Sequence, residues 1–312
     1  MKDAFTVDRY FDEPTWLAAR RNGVGASESA ALVVPGYQWQ SPYGLYVAKV
    51  ADKLAARKDT MSQRMGKAFE SAILAEFERS EGLIDPYKLS FEQSTIFRNS
   101  ERPWLTCSPD AWAPDEKHGL YGVDAKNVSS RKADEWEDGA APVSYIVQCQ
   151  HSMAVTGWAR WFLAVAIGGN EDFKVVCVPR HDAFIDRVLL PAIDAFWTHV
   201  QLRVAPDMDG TEATRAAVAA LYPEDDGAEI TLPPESLVYH SELVRLSTEA
   251  EALAQRADLN RYMLKALIGD ASVGWLPNGA GGYSNKMESR KEHVVAASVS
   301  RRLRFIKQKD GA

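Results

Sequence analysis

Cysteine is scarce in this chain: there are three in 312 residues, Cys107, Cys149 and Cys177, with no paired spacing. That pattern excludes a disulfide framework and a cysteine-based zinc site, and it fits buried thiols in a reducing compartment. Long apolar runs are also missing. None approaches the ~18 residues of a membrane-spanning helix, and the opening MKDAFTVDRYFDEP lacks the apolar segment of a secretory signal. Excess positive charge is absent as well, with a net charge of -7 and a pI near 5.5. Any contact with nucleic acid must then come from local clusters, not from the field of the whole molecule. No Walker or Rossmann glycine fingerprint occurs, so a nucleotide cofactor is not expected. What remains, 46% hydrophobic and 25% charged residues, has ample length for a core and reads as a cytoplasmic globular protein.

The most informative stretch present is residues 104–126, WLTCSPDAWAPDEKHGLYGVDAK. It reads as two strands joined by a polar turn, with a Pro-Asp pair closing the first and Asp-Ala-Lys closing the second. Successive strand side chains alternate between faces, so Asp124 and Lys126 share one face. Asp110 sits at the neighbouring turn, where it can bring a second carboxylate to the same place. Charged groups are seldom buried unless paired or bound to metal, and carboxylate oxygens suit hard cations such as magnesium or manganese. Taken alone, the stretch fits a surface hairpin with scattered charges equally well.

Around it the periodicity alternates between helix and strand. Residues 13–21 predict a short helix, followed by NGVGASESAALVV, in which Ser27 stands as the cap of a helix through residue 34. A glycine-preceded helix start near Arg20 and Arg21 suits a phosphate, and it also suits an ordinary capped turn. Pro42 opens another helix. Residues 62–80 carry Met65, Phe69, Ile73 and Phe77 at four-residue intervals, with Glu70 beside that stripe. Strands are predicted at 88–97, 104–107, 120–126, 161–167 and 173–178, and a polar stretch spans 127–142. An amphipathic helix covers 143–156 and a long helix covers 182–202, kinked at Pro191. This order indicates an α/β (α+β) fold with a mixed central sheet flanked by helices.

GVGAS after a Trp-bearing helix, MGKAFE, TCSPDAW, VDAK and YIVQCQHSMAVTG occur in an order and spacing that resemble the lambda-type exonucleases. These are phage recombination nucleases with a YqaJ-like viral recombinase domain, within the PD-(D/E)xK superfamily, and the likeness covers about residues 13–200. It implies a restriction-endonuclease-like core in which Glu70, Asp110, Asp124 and the backbone carbonyl of Ala125 hold two Mg2+ ions, with Mn2+ as a substitute. Lys126 is then the motif lysine. Gln148 approaches the attacking water or the phosphate, and Arg20 and Ser27 contact a terminal 5′-phosphate. The same resemblance implies 5′-to-3′ digestion of double-stranded DNA ends by a ring-shaped homotrimer, with a phage single-strand annealing protein as partner, in the cytoplasm of a bacterial host. An endonuclease with the same metal site and a catalytically silent DNA-binding scaffold are the alternatives. Two positions depart from the family's pattern. Asp124 stands where glutamate is usual, and Ala111 stands where glycine is usual, which disfavours a turn of positive φ.

The expected division is a core over 1–204 and an extension over 205–312. The extension begins with a linker rich in Pro, Asp and Gly, then a helix over 236–268 and a hairpin in SVGWLPNGAGGYSNKMES. A strand-like, basic end follows, with Arg301, Arg302, Arg304 and Lys307, suited to packing on the core or engaging DNA or a partner, or else to a solvated end.

Overall fold

The computed structural model describes residues 4–51, 60–81, 83, 88–91, 94–117, 119–169, 171–277 and 279–287. The chain runs β1 (Phe5–Arg9), α1 (Glu13–Arg20), β2 (Val24–Gly25), a 3-10 turn at Ala26–Glu28, α2 (Ala30–Val33), α3 (Pro42–Val50) and α4 (Met61–Ser80). Strands β3 (Thr95–Asn99), β4 (Leu105–Cys107), β5 (Ala111–Asp115) and β6 (Gly119–Val128) precede 3-10 turns across Ser130–Gly139 and α5 (Val143–Thr156). Then come β7 (Arg160–Ile167), β8 (Asp172–Pro179), α6 (Asp182–Phe184), a π-helical stretch at Ile185–Leu189 and α7 (Leu190–Leu202). α8 (Glu212–Leu221), α9 (Ser236–Ile268), β9 (Val273–Trp275) and β10 (Gly282–Ser284) complete the order. Among the described residues no helix is long and apolar enough to cross a membrane.

Helices start where side chains satisfy the first free amides. Asp12 accepts the Thr15 N–H at 2.7 Å ahead of α1, and Ser41 accepts that of Gly44 at 3.0 Å ahead of α3, with Pro42 in its first turn. At α4, Thr60 and Gln63 form a reciprocal capping box. α5 ends at Gly157, whose φ of 75° is left-handed.

The mixed α/β character is as expected, but the strands form two four-stranded sheets, ordered β1-β3-β4-β2 and β5-β6-β7-β8. The second is mixed: β6 runs parallel to β7 and antiparallel to β5. α4 covers one face of it, packing Ile73, Leu74 and Phe77 onto Tyr121, Val123 and Phe162. α5 lies against the other, its Val147, Cys149 and Met153 joining Leu163 and Val165. Within β6, Gly122 faces the Trp161 ring so closely that an added Cβ would lie 2.4 Å from it. Gly122→Ala is therefore expected to cost ~1–3 kcal/mol by displacing a buried Trp. Urea unfolding of the variant checks this, and unchanged stability would refute the packing.

Several expectations are corrected. The strand predicted at 88–97 is a single bridge at Ser90, to Trp112, and then β3 at Thr95–Asn99. The predicted 104–126 hairpin is not one hairpin. β4 pairs with β3 and β2, and the hairpin partner of β6 is β5. Residues 108–110 thus carry the chain from one sheet to the other. Ser27 caps no helix but sits inside the 3-10 turn. The polar stretch after β6 folds into 3-10 turns around a buried Trp136. The irregularity at Pro191 is a π-helical stretch just before it, where the helix accommodates a residue without an amide hydrogen. Ala111 carries no strain, since it is absent from the non-glycine residues of positive φ and pairs as a strand residue with Val123.

The chain divides into compact units at Met1–Pro223 and Glu224–Ala312. In the first unit α8 docks on α3, where Thr214 Oγ1 donates to the Ser41 hydroxyl at 2.7 Å. In the second unit, α9 and the β9–β10 hairpin form as expected. Arg301, Arg302, Arg304 and Lys307 lie outside the described residues.

Candidate active site

The switch between sheets places Asp110 immediately before β5, next to the middle of β6. There its Oδ2 accepts the Ala125 N–H at 2.8 Å. Alternation along β6 then separates the side chains. Tyr121 and Val123 enter the apolar layer under α4, while Asp124 and Lys126 point the other way. Asp124 is 2% exposed; its Oδ2 accepts from Gln148 Nε2 of α5 at 2.6 Å and faces Lys126 Nζ at 3.7 Å. Lys126 in turn lies 5.3 Å from the centre of the Tyr145 ring, an arrangement that favours its positive charge.

Glu70 is half-buried on α4 at the edge of the same group. A cleft of about 720 Å³ is lined by Glu70, Asp110 and Gln148, and also by Arg20, Gly25 and Ser27. Asp124 and Lys126 are not part of its lining and lie behind Asp110 and Gln148. Arg20 donates from Nη2 to the Ser27 hydroxyl at 3.4 Å and stacks over the Trp16 ring at 4.8 Å. All seven side chains singled out from the sequence thus fall in or directly behind one cleft. Among the described residues, however, no three His, Cys, Asp or Glu side chains are gathered closely enough to hold a metal ion as they stand. The geometry shows why: Asp110 is turned to a backbone amide, and Asp124 to an amide and an ammonium.

Electrostatics reflect that crowding. Burial, then the Asp124 carboxylate, push Asp110 up to about 7. Burial and then Asp124 also raise Glu70, against the pull of Lys126 and Lys67. Burial alone would lower Lys126, but Asp124 and Asp110 outweigh it and hold the ammonium above its ordinary value. Three carboxylates with too little positive charge between them are a donor set that a hard divalent cation would complete.

Two features were not found from the sequence. Lys49, almost wholly buried, donates to both carboxylate oxygens of Glu28 (2.9 and 2.7 Å) and to the Arg20 carbonyl at 3.1 Å. Glu28 also accepts the Gly25 N–H at 2.7 Å, so this pair holds the turn on which Arg20 and Ser27 meet. The partners are far apart in sequence, and only the lysine at an otherwise apolar helical position signalled it. The second feature is His151 on α5, which is fully buried, with Nε2 3.0 Å from the Thr106 carbonyl and Nδ1 without a hydrogen-bond partner among the described residues.

Burial pushes His151 down to about 4, from an ordinary 6.5. Below pH 6.5 the unfolded chain takes up a proton that the folded chain refuses until about pH 4. Across that window His151 should withdraw ~3 kcal/mol of stability as pH falls. His151→Gln does not titrate, so the difference between wild type and variant in urea unfolding should shrink by that amount between pH 7 and pH 4. Parallel pH profiles would refute it.

The family model of the YqaJ-like viral recombinase domain matches residues 15–159. The uncharacterized protein YqaJ of Bacillus subtilis (strain 168) is 27% identical over 284 residues, 88% of this chain and 86% of that protein. Among solved structures, the alkaline exonuclease LHK-Exo of Laribacter hongkongensis superposes with a TM-score of 0.49 at 17% identity, covering 62% of this chain and 94% of that one. A phage-related exonuclease from Haemophilus somnus 129PT gives 0.42 at 11% identity, covering 58% and 95%. The matched stretch from 15 to 159 spans the whole cluster, from Arg20 on α1 to Gln148 on α5, and over it the chain is similar to the YqaJ-like viral recombinase domain.

Proposed function

We propose that this protein is a metal-dependent DNA exonuclease that digests linear double-stranded DNA from its 5′ ends, leaving 3′ single strands for recombination by annealing. The observation that carries this reading is the single cleft joining Glu70, Asp110 and Gln148 to Arg20 and Ser27. A carboxylate cluster beside an arginine–hydroxyl pair suits a substrate held at its terminal phosphate while the scissile phosphodiester meets the carboxylates.

Glu70, Asp110 and Asp124, with the Ala125 carbonyl, are the proposed ligands of Mg2+, or of Mn2+ in its place, at two ions per site. When bound, the metal supplies positive charge at the attacking and leaving oxygens of the phosphodiester. The protein's own groups do the rest. Lys126, kept protonated by its carboxylate neighbours, stabilises charge developing on the phosphate oxygens. Gln148, held by Asp124, orients its amide toward the water or the phosphate. Arg20 offers a planar guanidinium to a terminal phosphate, and Trp16 behind it restricts where that guanidinium points.

The proposed assembly is a homotrimeric ring, which reconciles a net charge of -7 with DNA binding because only the channel need be basic. The proposed partner is a phage single-strand annealing protein that takes over the exposed 3′ strand.

The test compares 5′-phosphorylated linear duplex, the same duplex with 5′-hydroxyl ends, and closed circular duplex, each with Mg2+ and with EDTA. Only linear DNA should disappear, only with metal, and fastest with the 5′-phosphate. Arg20→Ala should remove at least ~10-fold of the preference for phosphorylated ends, since a charge-assisted contact is worth ~1.5–3 kcal/mol. Cutting of the circle would establish an endonuclease instead. No cutting with Mg2+ or Mn2+ would leave a silent scaffold.

A further inference from the structure

The 33 residues of α9 form one uninterrupted helix, and none of them is buried among the described residues. Its exposed apolar residues include Tyr239, Leu243, Leu246, Leu253 and Leu267. A helix of ~50 Å that is apolar along its length does not stand alone in water without a partner or many intrahelical ion pairs. Ion pairs are present, Arg245 with Glu242 and Glu249 and Arg261 with Asp258, but they span only two short stretches of the helix.

The spacing identifies the missing surface. Starting from Tyr239, positions 243, 246, 250, 253, 257, 260, 264 and 267 follow at alternating intervals of four and three, and all but Asn260 are apolar. That is the heptad seam of a coiled coil. Leucine and alanine alternate along the middle of the seam, which discriminates between the two ways of pairing such a helix with itself. A parallel, in-register pair sets Ala250 on Ala250 and Ala257 on Ala257, leaving gaps, and brings Arg256 against the Arg261 of the other copy. An antiparallel pair that sets Ser236 of one copy opposite Leu267 of the other places Leu246 on Ala257 and Leu253 on Ala250, each large side chain meeting a small one. In the same alignment Glu249 of each copy flanks Arg256 of the other, giving two symmetric ion pairs. Asn260 falls opposite Leu243, and its amide is already occupied, since Nδ2 donates to the Arg256 carbonyl at 2.8 Å.

We propose that α9 is a self-association surface, pairing antiparallel with α9 of a second copy of this chain through the Tyr239–Leu267 seam. This pairing is separate from any ring formed by the first unit. It joins two such assemblies, whatever their size, into one of twice the mass.

Sedimentation velocity on the full chain tests it, with circular dichroism to verify that each variant keeps its helix. Leu246→Glu with Leu253→Glu should halve the mass of the assembly. Glu249→Arg alone and Arg256→Glu alone should each weaken association at least 10-fold, by setting like charges opposite one another. The two together should restore it, because the swap re-forms the pair across the interface. Unchanged mass in the leucine double variant overturns the proposal. Failure of the charge swap to restore association, after each single change weakened it, overturns the antiparallel register. Digestion of linear DNA, measured beside it, reports separately on the cleft.

Discussion

Asp110→Asn is expected to make the metal-free protein more stable while removing the proposed nuclease activity. The carboxyl is held up to about 7, against an ordinary 3.8, by burial and by Asp124. A folded-state value above the unfolded one means that the native protein binds this proton more tightly. Stability is therefore lost as pH rises from about 4 through 7, and above that the folded protein carries the full cost of the ionised group. An asparagine is neutral throughout and can still accept the Ala125 N–H. At pH 8 in EDTA the variant should gain ~2–4 kcal/mol, and at pH 4 almost nothing. Cleavage should fall by orders of magnitude, because an amide is a far poorer ligand for a hard cation than a carboxylate. Mg2+ should raise the unfolding temperature of the wild type and leave that of the variant unmoved. A variant less stable than wild type at pH 8 without metal would show that the carboxylates are not in conflict and would remove the electrostatic argument for a cation.

Lys126→Met should do the opposite to stability and the same to activity. The ammonium is the positive charge next to Asp124, at 3.7 Å, and it opposes the repulsion felt by Asp110 and Glu70. Removing one partner of a buried ion pair strands the other, at a cost of ~3–5 kcal/mol. Loss of one preorganised donor of charge at a reacting phosphate costs ~100- to 1,000-fold in rate. The two effects separate on addition of metal: Mg2+ should recover much of the lost stability by taking over the neutralising role, while turnover stays low. If the variant keeps near-normal turnover at saturating Mg2+, Lys126 only neutralises and takes no part in the reaction.

These two substitutions act oppositely on the fold because the site stores electrostatic conflict. Local rules are broken at this point of β6, where a strand buried on both faces from Tyr121 to Val123 goes on to carry an acid and a base. Such a breach is tolerated where function requires it. The same reasoning explains the turn carrying Arg20 and Ser27. There the pair of a buried Lys49 with a partly exposed Glu28 places a charged lysine in the interior to fix the backbone at the other end of the cleft.

Much of this was legible in the sequence, and the reason is range. The bounds of α5 and α9 follow from periodicity and end signals spread over neighbouring residues, and each helix forms where the spacing of its side chains places it. The chemistry of Asp110, Asp124 and Lys126 is likewise a property of residue type and of strand alternation. Partnership across distance was not legible. Nothing local to Leu105–Cys107 says that β4 pairs with β3 and with Val24–Gly25 of β2, while Ala111–Asp115 joins a different sheet. That choice is made by which pairing buries both faces of each strand, and it alone sets Asp110 against the Ala125 amide. The docking of α8 on α3, through Thr214 and Ser41 173 positions apart, and the meeting of Lys49 with Glu28 are of the same kind. Sequence by itself determined which side chains could do the chemistry and where helices such as α5 and α9 would form, but not α8, which forms in a stretch read as a linker. The tertiary structure decided which of them meet, because hydrogen-bonded pairing and burial act between surfaces that the chain brings together only when the whole core closes.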